Sequence, residues 1–205
     1  MAEPARPASG HYFDQRPSAR SAPGEVRLDL PDVSLTLATD RGVFSPDRID
    51  TGTKHLLLDG PAPAARGTLV DLGSGYGPIA CALAARSPGA TVWAVEVNER
   101  ALGLCQANAA RLGLANLHAV TPDGVPTDLV VDELWSNPPV RIGKAALHGL
   151  LQTWLGRLAP SGRALLVVQK HLGADSLHRW IDEVGYQVDR LQSRAGYRIL
   201  EVHRA

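Results

Sequence analysis

Asn137, Pro138 and Pro139 form the stretch with the most suggestive chemistry, because they follow an apolar run, 129–135, that is typical of a buried strand. Proline fixes its own φ angle, lacks an N–H group and forces the preceding residue into an extended conformation. Asn137 is therefore expected to lie outstretched at the carboxyl end of a strand, where open α/β sheets bind their ligands. A strand followed by a proline-rich turn without a further role explains the same residues.

A second candidate site is the turn Asp71–Gly77, of sequence DLGSGYG, which follows a short apolar strand-like run. Glycines in such a turn let a ligand approach the backbone closely. The turn does not match the dinucleotide fingerprint GxGxxG, because Pro78 occupies the position of the third small residue. The carboxylate of Asp71 is poorly suited to a pyrophosphate and suits a positively charged cofactor. S-adenosylmethionine, with an ammonium group, a sulfonium group and no phosphate, meets that requirement.

Two further strand ends extend this candidate cofactor site. Glu96 lies 23 residues after Gly73 (96 − 73 = 23) at the end of the next apolar run, where a carboxylate can accept hydrogen bonds from both hydroxyls of a ribose. Asp123 and Gly124 follow the third run and are candidates to border the adenine ring. Taken singly, Glu96 and Asp123 are equally well explained as surface carboxylates. The glycine turn, Glu96 and Asn137 at consecutive strand ends form a much more specific set.

The elements that must position these residues alternate between strand and helix from residue 68 onward, which predicts a parallel sheet covered on both faces. A hairpin is expected to precede this unit and another to follow it. We therefore predict an α/β fold: a Rossmann-like, doubly wound, mostly parallel seven-stranded sheet with an antiparallel C-terminal edge hairpin and an N-terminal β-hairpin extension. The expected strands are 26–30, 33–37, 68–72, 91–97, 116–120, 129–135, 164–169, 186–191 and 197–203. Helices are expected over the apolar run 56–58, from Pro78 onward, after the cap Asn98, at 144–158 and at 174–184.

Residues 1–24 contain four prolines and are predicted to form a flexible arm with one apolar pair, Tyr12 and Phe13. Residues 25–205 are predicted to form a single domain, because a chain with 44% hydrophobic residues can bury one full core. Cys81 and Cys105 lie in helical patterns and are expected to be core residues in a reducing cytoplasm. We expect a cytoplasmic protein without membrane or metal partners, because no leader, long apolar run or metal-ligand spacing is found.

Positive and negative charges balance at 21 each, but they are unevenly distributed. Residues 141–180 contain six basic and one acidic residue (6 − 1 = +5), whereas residues 86–140 contain three basic and six acidic residues (3 − 6 = −3). This asymmetry predicts either a basic face beside an acidic pocket or scattered charge on helix surfaces.

The sequence resembles class I S-adenosylmethionine-dependent methyltransferases, and more narrowly the catalytic domain of small-subunit ribosomal RNA guanine-N2 methyltransferases. The segments that carry the resemblance are 11–13, 42–45, 71–77, 95–102, 136–139, 167–170 and 196–198. It implies S-adenosylmethionine as cofactor, ribosomal RNA or the small ribosomal subunit as partner, and a monomer or homodimer. The residues expected to contact the cofactor are Phe44, Thr53, Asp71, Gly73, Ser74, Gly75, Gly77, Glu96, Val97, Asp123, Gly124 and Asn137.

The resemblance assigns catalysis to Asn137, Pro138 and Pro139. An exocyclic amine conjugated to a ring is a poor nucleophile. If the Asn137 side-chain oxygen and the Pro138 carbonyl accept its two hydrogens, the nitrogen lone pair turns toward the methyl donor, and no strong base is needed. A cysteine adduct is not expected, because neither Cys81 nor Cys105 follows a proline at a strand end.

Two departures from the family pattern affect the substrate. An aromatic residue follows Asn-Pro-Pro in some relatives and can stack on the target base, but here the position is Val140. Phe44 or Tyr12 would then have to hold the base, although each also fits a core position. Some relatives also carry an N-terminal domain that assists RNA recognition, for which we expect no room. Arg141, Lys144 and Lys170 are candidates for phosphate contacts, with ordinary surface charge as the alternative.

Three hypotheses follow. The first is methylation of guanine N2 in small-subunit ribosomal RNA. The second keeps the chemistry but changes the acceptor to adenine N6, a protein glutamine amide or a small molecule. The third is an RNA-binding module that binds the cofactor without turnover, which the presence of Asp71, Glu96 and Asn137 disfavours.

Overall fold

The predicted alternation of strands and helices is present in the structure, a computed structural model that describes residues 17–205. The strands are β1 Gly24–Asp29, β2 Ser34–Thr39, β3 Arg66–Leu72, β4 Gly89–Val95, β5 Leu117–Val120, β6 Val131–Ser136, β7 Leu158–Gln169, β8 Tyr186–Arg194 and β9 Tyr197–Arg204. The helices are α1 Thr51–Asp59, α2 Pro78–Arg86, α3 Glu99–Arg111, α4 Lys144–Leu155 and α5 Ala174–Glu183.

The main sheet has seven strands in the order β5-β4-β3-β6-β7-β9-β8. Strands β3 to β7 run parallel, and β9 pairs antiparallel with both β7 and β8. Strands β1 and β2 form a separate antiparallel hairpin. The predicted fold class is therefore confirmed. The strand order reverses between β3 and β6, and this is the position at which such sheets open a crevice for ligands.

Helices cover both faces of the sheet. Helices α1, α2 and α3 share one buried cluster with the β1–β2 hairpin, while α4 and α5 belong to a second cluster on the opposite face. Strand β3 serves both, because Leu69 belongs to the first cluster and Val70 to the second, as expected when successive side chains point to opposite faces. This burial on both sides explains why the central strands are apolar runs rather than alternating patterns.

The hairpin is held to the domain by a buried asparagine of α3. The Asn108 side chain accepts a hydrogen bond from Ala38 N at 2.7 Å and donates to Ala38 O at 3.0 Å and to Tyr76 O at 2.9 Å. The amide thus satisfies one residue of β2 in the way a neighbouring strand would. It also connects the hairpin to the turn that follows β3.

The largest difference from the predicted boundaries lies between α4 and β7. The helix expected over 144–158 ends at Leu155, and Leu158 begins β7, which was expected only from Ala164. Gly156 caps the helix by donating its N–H to Gln152 O at 3.1 Å, and Val131 N donates to Arg157 O at 2.9 Å, which draws the chain into the sheet. Residues 159–162 are then accommodated as an irregularity in the pairing with β6.

The chain enters β1 along the edge of this fold. Ser21 Oγ donates to Asp40 Oδ2 at 2.7 Å, and Ala22 N donates to Asp40 Oδ1 at 2.5 Å. The predicted apolar pair Tyr12 and Phe13 lies outside the described residues. None of the helices within residues 17–205 combines the length and the hydropathy needed to cross a membrane.

Candidate active site

The carboxyl ends of β3, β4 and β6 open onto a cavity of about 840 Å³, a size within the range of pockets for small ligands. The strand pairing places these ends side by side, since Leu72 pairs with Val95 and Asp71 with Trp135. We call one part the glycine-turn end, lined by Gly73, Gly75, Glu96 and Val97. The other part is the apolar end, lined by Val140, Ile142, Ala146, Leu150 and Leu172.

The glycine turn is fastened to the neighbouring strand by its backbone. Gly73 N and Ser74 N donate to Val95 O at 2.9 and 3.1 Å. Gly75 has a φ of +57°, and a Cβ atom built on it would have no described atom within 4 Å. The backbone at Gly75 therefore faces open space, where a ligand can approach it closely.

Glu96 closes the same turn from the end of β4. Its Oε2 accepts from Gly75 N at 2.8 Å, and its Oε1 accepts from Val97 N and Asn98 N, both at 2.8 Å. Burial raises the pKa of Glu96, and these three amide donors counteract that rise. A carboxylate offers about four acceptor positions. Because three are used internally, Glu96 retains capacity for a further donor such as a sugar hydroxyl.

Asp71 lies beneath the turn rather than in the cavity wall. Its side chain is fully buried, and Oδ2 accepts from Ala80 N, in the first turn of α2, at 2.9 Å. The other oxygen, Oδ1, has no hydrogen-bond partner among the described residues. Burial, with a further contribution from the charge of Glu96, raises the pKa of Asp71 to about 8. A buried carboxyl group with an unpaired oxygen favours a nearby cation over a phosphate.

Asn137 lines the cavity at the junction of the two ends. Its Nδ2 donates to Asp50 Oδ2 at 2.8 Å and to Thr53 Oγ1 at 3.1 Å. Because an ionised carboxylate can only accept hydrogen bonds, the NH₂ group must face Asp50. The side-chain oxygen is therefore the group that Asn137 has available for a ligand.

The apolar end begins directly after this residue. Pro138 O accepts from Val140 N at 2.8 Å, so the carbonyl predicted to face an amine already uses one of its two acceptor positions. A short 3-10 turn, Val140–Ile142, leads into α4. Leu172, in a second short turn across the opening, is 45% exposed. This part of the wall consists largely of apolar side chains on two turns and one helix.

The structure brings together only some of the predicted site residues. Those that line the cavity are Phe44, Gly73, Gly75, Glu96, Val97, Asn137, Pro138, Pro139 and Arg141. Thr53 does not line the cavity but contacts Asn137. Ser74 and Gly77 are buried within the glycine turn. Asp123 and Gly124 are exposed beside Pro122, which does line the cavity. Lys144 and Lys170 are exposed outside it.

Asp50 and Tyr197 are among the lining residues that the sequence did not predict as site residues. Asp50 is the N-cap of α1, and its Oδ2 accepts from Thr53 N at 3.1 Å. The sequence Asp-Thr-Gly-Thr before an apolar run carries that capping signal. Tyr197 belongs to the segment 196–198 that carries the family resemblance, but no local pattern places it in the cavity, which it reaches through the pairing of β9 with β7.

The local excess of basic residues is only partly available at the surface. Arg163 pairs with Glu133 at 2.7 Å and with Glu201 at 3.1 Å, so two positive-to-negative contacts tie it to the sheet. Arg141, Lys144 and Lys170 are exposed, and none of them forms an ion pair with another described residue. Among the residues of 17–205, no three His, Cys, Asp or Glu side chains are grouped to hold a metal ion.

Comparison with known proteins assigns the chain to a family. The sequence profile of the family called Methyltransferase small domain matches residues 34–201, which include every strand end described above. The chain belongs to this methyltransferase family. The resemblance indicated by the glycine turn, Glu96 and Asn-Pro-Pro is thereby confirmed.

Individual relatives of the methyltransferase differ in length. It is 32% identical over 196 residues to YbxB of Bacillus subtilis, an uncharacterized protein, with 94% of this chain and 98% of YbxB covered. It is 31% identical over 176 residues to ribosomal RNA small subunit methyltransferase C of Shewanella amazonensis, with 82% of this chain and 50% of that protein covered. The methyltransferase thus spans about half the length of that relative.

A solved structure gives the same picture of the fold. The methyltransferase is similar to the T. thermophilus 16S rRNA N2 G1207 methyltransferase RsmC, determined in complex with AdoMet and guanosine, with a TM-score of 0.75 and 24% identity. The match covers 92% of this chain and 52% of that chain. The corresponding unit is therefore a part of a longer protein in RsmC and nearly the whole of YbxB.

Proposed function

We propose that this chain transfers a methyl group from S-adenosylmethionine to the exocyclic N2 amine of a guanine in small-subunit ribosomal RNA. The observation that carries the proposal is the orientation of Asn137, whose NH₂ group is bound by Asp50 and Thr53. The oxygen that remains is a hydrogen-bond acceptor at the junction of the two cavity ends, and it is suited to the N–H of an amine. The RsmC relatives support ribosomal RNA as the molecule that bears this amine.

The glycine-turn end fits the cofactor. S-adenosylmethionine, when bound, supplies a methyl group on a positively charged sulfur. Gly73 and Gly75 would receive it against their backbone, Glu96 has capacity for a ribose hydroxyl, and the unpaired oxygen of Asp71 favours positive charge nearby. The Glu96 carboxyl group faces the cavity and uses its oxygens as acceptors, which suits the hydroxyls of a ribose better than a phosphate.

Asn137 and Pro138 would hold the acceptor amine. Asn137 Oδ1 accepts one N–H, and Pro138 O accepts the other through the position that Val140 N leaves available. With both hydrogens fixed in the plane of the two acceptors, the nitrogen lone pair points out of the conjugated ring system. Alignment of two reactants in this way can contribute about 7–11 kcal/mol. The product loses its extra proton after transfer, so the chain needs no strong base.

The apolar end would receive the ring of the base. Val140 replaces the aromatic residue that stacks on the base in some relatives, a contact worth about 1–3 kcal/mol. Phe44, which is 37% exposed, and Tyr197 line the cavity and are the described aromatic residues able to contact a ring there. Arg141 at the opening and Lys144 and Lys170 outside it would contact phosphates of the RNA.

The test is transfer of tritium from methyl-labelled S-adenosylmethionine to small-subunit ribosomal RNA, both free and assembled into subunits, prepared from cells that lack this gene. Digestion to nucleosides should recover the label in N2-methylguanosine. RNA from cells that contain the gene is the matched control and should accept much less label, because its target is already methylated. Absence of label in RNA, with label in a protein or metabolite instead, would refute the ribosomal RNA assignment.

A second candidate keeps the amine chemistry and changes the acceptor to adenine N6, a protein glutamine amide or a small molecule. The observation in its favour is the apolar character of the acceptor wall around Val140, Ile142 and Leu150, which contains few groups to distinguish one planar ring from another. The same digestion separates these acceptors by the chemical identity of the labelled product. Recovery of N6-methyladenosine, for example, would favour this candidate.

A further inference from the structure

One carboxylate oxygen of Asp50 accepts two hydrogen bonds. Its Oδ2 accepts from Thr53 N at 3.1 Å, which caps α1, and from Asn137 Nδ2 at 2.8 Å. The two residues are 87 positions apart in the chain, and Asp50 also lines the cavity. The contact therefore joins the start of α1 to the carboxyl end of β6.

An asparagine side chain can present either its oxygen or its nitrogen to a ligand, because the two ends are nearly equal in size. If the Asn137 amide turned over, its oxygen would face the Asp50 carboxylate and the Thr53 hydroxyl, and two acceptors would then oppose each other at Asp50. A hydrogen bond to a charged group is stronger than one between neutral groups, so its loss strongly disfavours the turned-over amide. Asp50 thus selects one of the two orientations, and the Thr53 hydroxyl, which can donate or accept, serves as a second partner in that orientation.

The first turn of α1 is itself held in place. A Cβ atom on Gly52 would lie 2.8 Å from Cε1 of Tyr197, so the helix backbone packs directly on a ring carried by β9. Thr53 is 6% exposed. The acceptor groups of Asp50 and Thr53 are consequently fixed with respect to the sheet that carries Asn137.

We propose that Asp50 is a positioning residue for methyl transfer: through Asn137 it determines that an oxygen, rather than an NH₂ group, meets the acceptor. Thr53 supports it as the second acceptor. The catalytic part of this inference rests on the proposed function. The orientation of the Asn137 amide rests only on its hydrogen bonds with Asp50 and Thr53. It also explains the position of the predicted residue Thr53, which contacts Asn137 rather than lining the cavity.

The kinetic test uses variants that separate capping from positioning. Asp50→Ser keeps an N-cap oxygen but is too short to reach Asn137, whereas Asp50→Asn keeps an oxygen able to accept from both donors. We expect Asp50→Ser to lower kcat roughly 30- to 100-fold, as misplacement of a reacting group does, with the KM for S-adenosylmethionine within about twofold. Asp50→Asn should restore most of the rate, and Thr53→Val should lose more than Thr53→Ser.

A double-variant cycle distinguishes positioning from a general loss of structure. In an Asn137→Ala background, Asp50→Ser should cause no further loss in kcat, because the residue through which it acts is gone. Asp128→Ser, at an exposed position away from the cavity, is the matched control and should behave as the parent. Additive losses, or an equal loss in Asp50→Asn and Asp50→Ser, would overturn the inference.

A second measurement does not depend on turnover. The side-chain NH₂ of Asn137, identified by its absence from the spectrum of Asn137→Ala, should exchange its hydrogens with solvent slowly in the parent protein. In Asp50→Ser this exchange should accelerate by about tenfold or more, since one of its two hydrogen bonds is lost. Unchanged exchange would overturn the inference even in a protein that methylates RNA. Conversely, failure of the parent to methylate RNA would refute the proposed function and leave the exchange result to decide the geometry.

Discussion

The two ends of the cavity are constructed differently. At the glycine-turn end the surface is backbone, and Gly73, Ser74 and Gly75 are each tied by their amides to Val95 or Glu96. At the apolar end the surface consists of side chains carried by two short turns and one helix. A surface made of hydrogen-bonded backbone tolerates little change in its ligand, whereas a surface made of side chains can be altered one residue at a time. The glycine-turn end therefore suits a methyl donor that stays the same, and the apolar end suits an acceptor that can vary.

The largest effect on the glycine-turn end is expected from a substitution at Gly77. A Cβ atom there would lie 2.7 Å from Cys105 Sγ, and the residue has a φ of +95°. Gly77→Ala should therefore lower the free energy of unfolding by about 2–5 kcal/mol, from left-handed strain and overpacking together, and abolish cofactor binding. Urea unfolding and calorimetry measure these effects. Gly103→Ala, in α3 with no described atom within 4 Å of its Cβ position, is the control and should be neutral or slightly stabilising.

Asn137 lies between the two ends of the cavity and is proposed to contact the acceptor. Removal of its side chain should therefore affect turnover rather than cofactor binding. Asn137→Ala should lower turnover by about 10²- to 10³-fold, the usual effect of losing one transition-state hydrogen bond, and leave the dissociation constant for S-adenosylmethionine within about threefold. Gln169→Ala removes another carboxamide that lines the cavity and should lose far less. Equal losses in the two variants, or none in either, would contradict a catalytic role for Asn137.

The burial of the Asp71 carboxyl group predicts a pH dependence of stability. Its folded pKa of about 8 exceeds the unfolded value of about 3.9, so the folded state binds more protons between these values. The free energy of unfolding should therefore fall as pH rises from about 4 to 8, by at most about 1.4 kcal/mol per pH unit. Asp71→Asn should flatten this decline in urea unfolding at pH 5, 6.5 and 8. Parallel curves for the two proteins would contradict the prediction.

An aromatic ring added at Val140 tests whether the apolar end receives the target base. Val140→Tyr places a ring directly after Asn-Pro-Pro, and base stacking worth about 1–3 kcal/mol should lower the KM for RNA at least fivefold. The dissociation constant for S-adenosylmethionine should stay constant, because the glycine-turn end is unchanged. Val140→Ala is the size control and should not tighten RNA binding.

The smallest effect concerns the exposed basic residues. Arg141→Ala or Lys170→Ala should each weaken RNA binding a few-fold at low salt and reduce the slope of log affinity against log salt by about one. Arg190→Ala, at an exposed arginine of β8 that pairs with Asp175, is the control and should leave the slope unchanged. Equal slopes in all three proteins would remove these residues from the RNA contact.

Much of this arrangement follows from the sequence because local rules govern it. Pro78 opens α2, Asn98 caps α3, and strand ends in a parallel sheet must meet at one edge. The end of α4 did not follow, because Leu151, Leu155 and Leu158 continue a helical spacing across the point where the sheet captures the chain. The contact of Asp50 with Asn137 did not follow either. It joins residues 87 positions apart, and no local pattern encodes it.

The turn at Gly77 also covers two thiols. Cys81 and Cys105 are both buried, and burial raises the pKa of the Cys81 thiol to about 12 and that of Cys105 well above its usual value. A Cβ atom added at Gly77 would lie 2.7 Å from Cys105 Sγ and 3.3 Å from Cys81 Sγ, so both sulfurs lie against this turn. Because both are buried, their reaction with a thiol reagent requires local unfolding of the region that includes the turn. A ligand that binds the glycine turn and holds it closed should slow the labelling of both thiols. The rate of thiol labelling would then report whether the glycine-turn end is occupied.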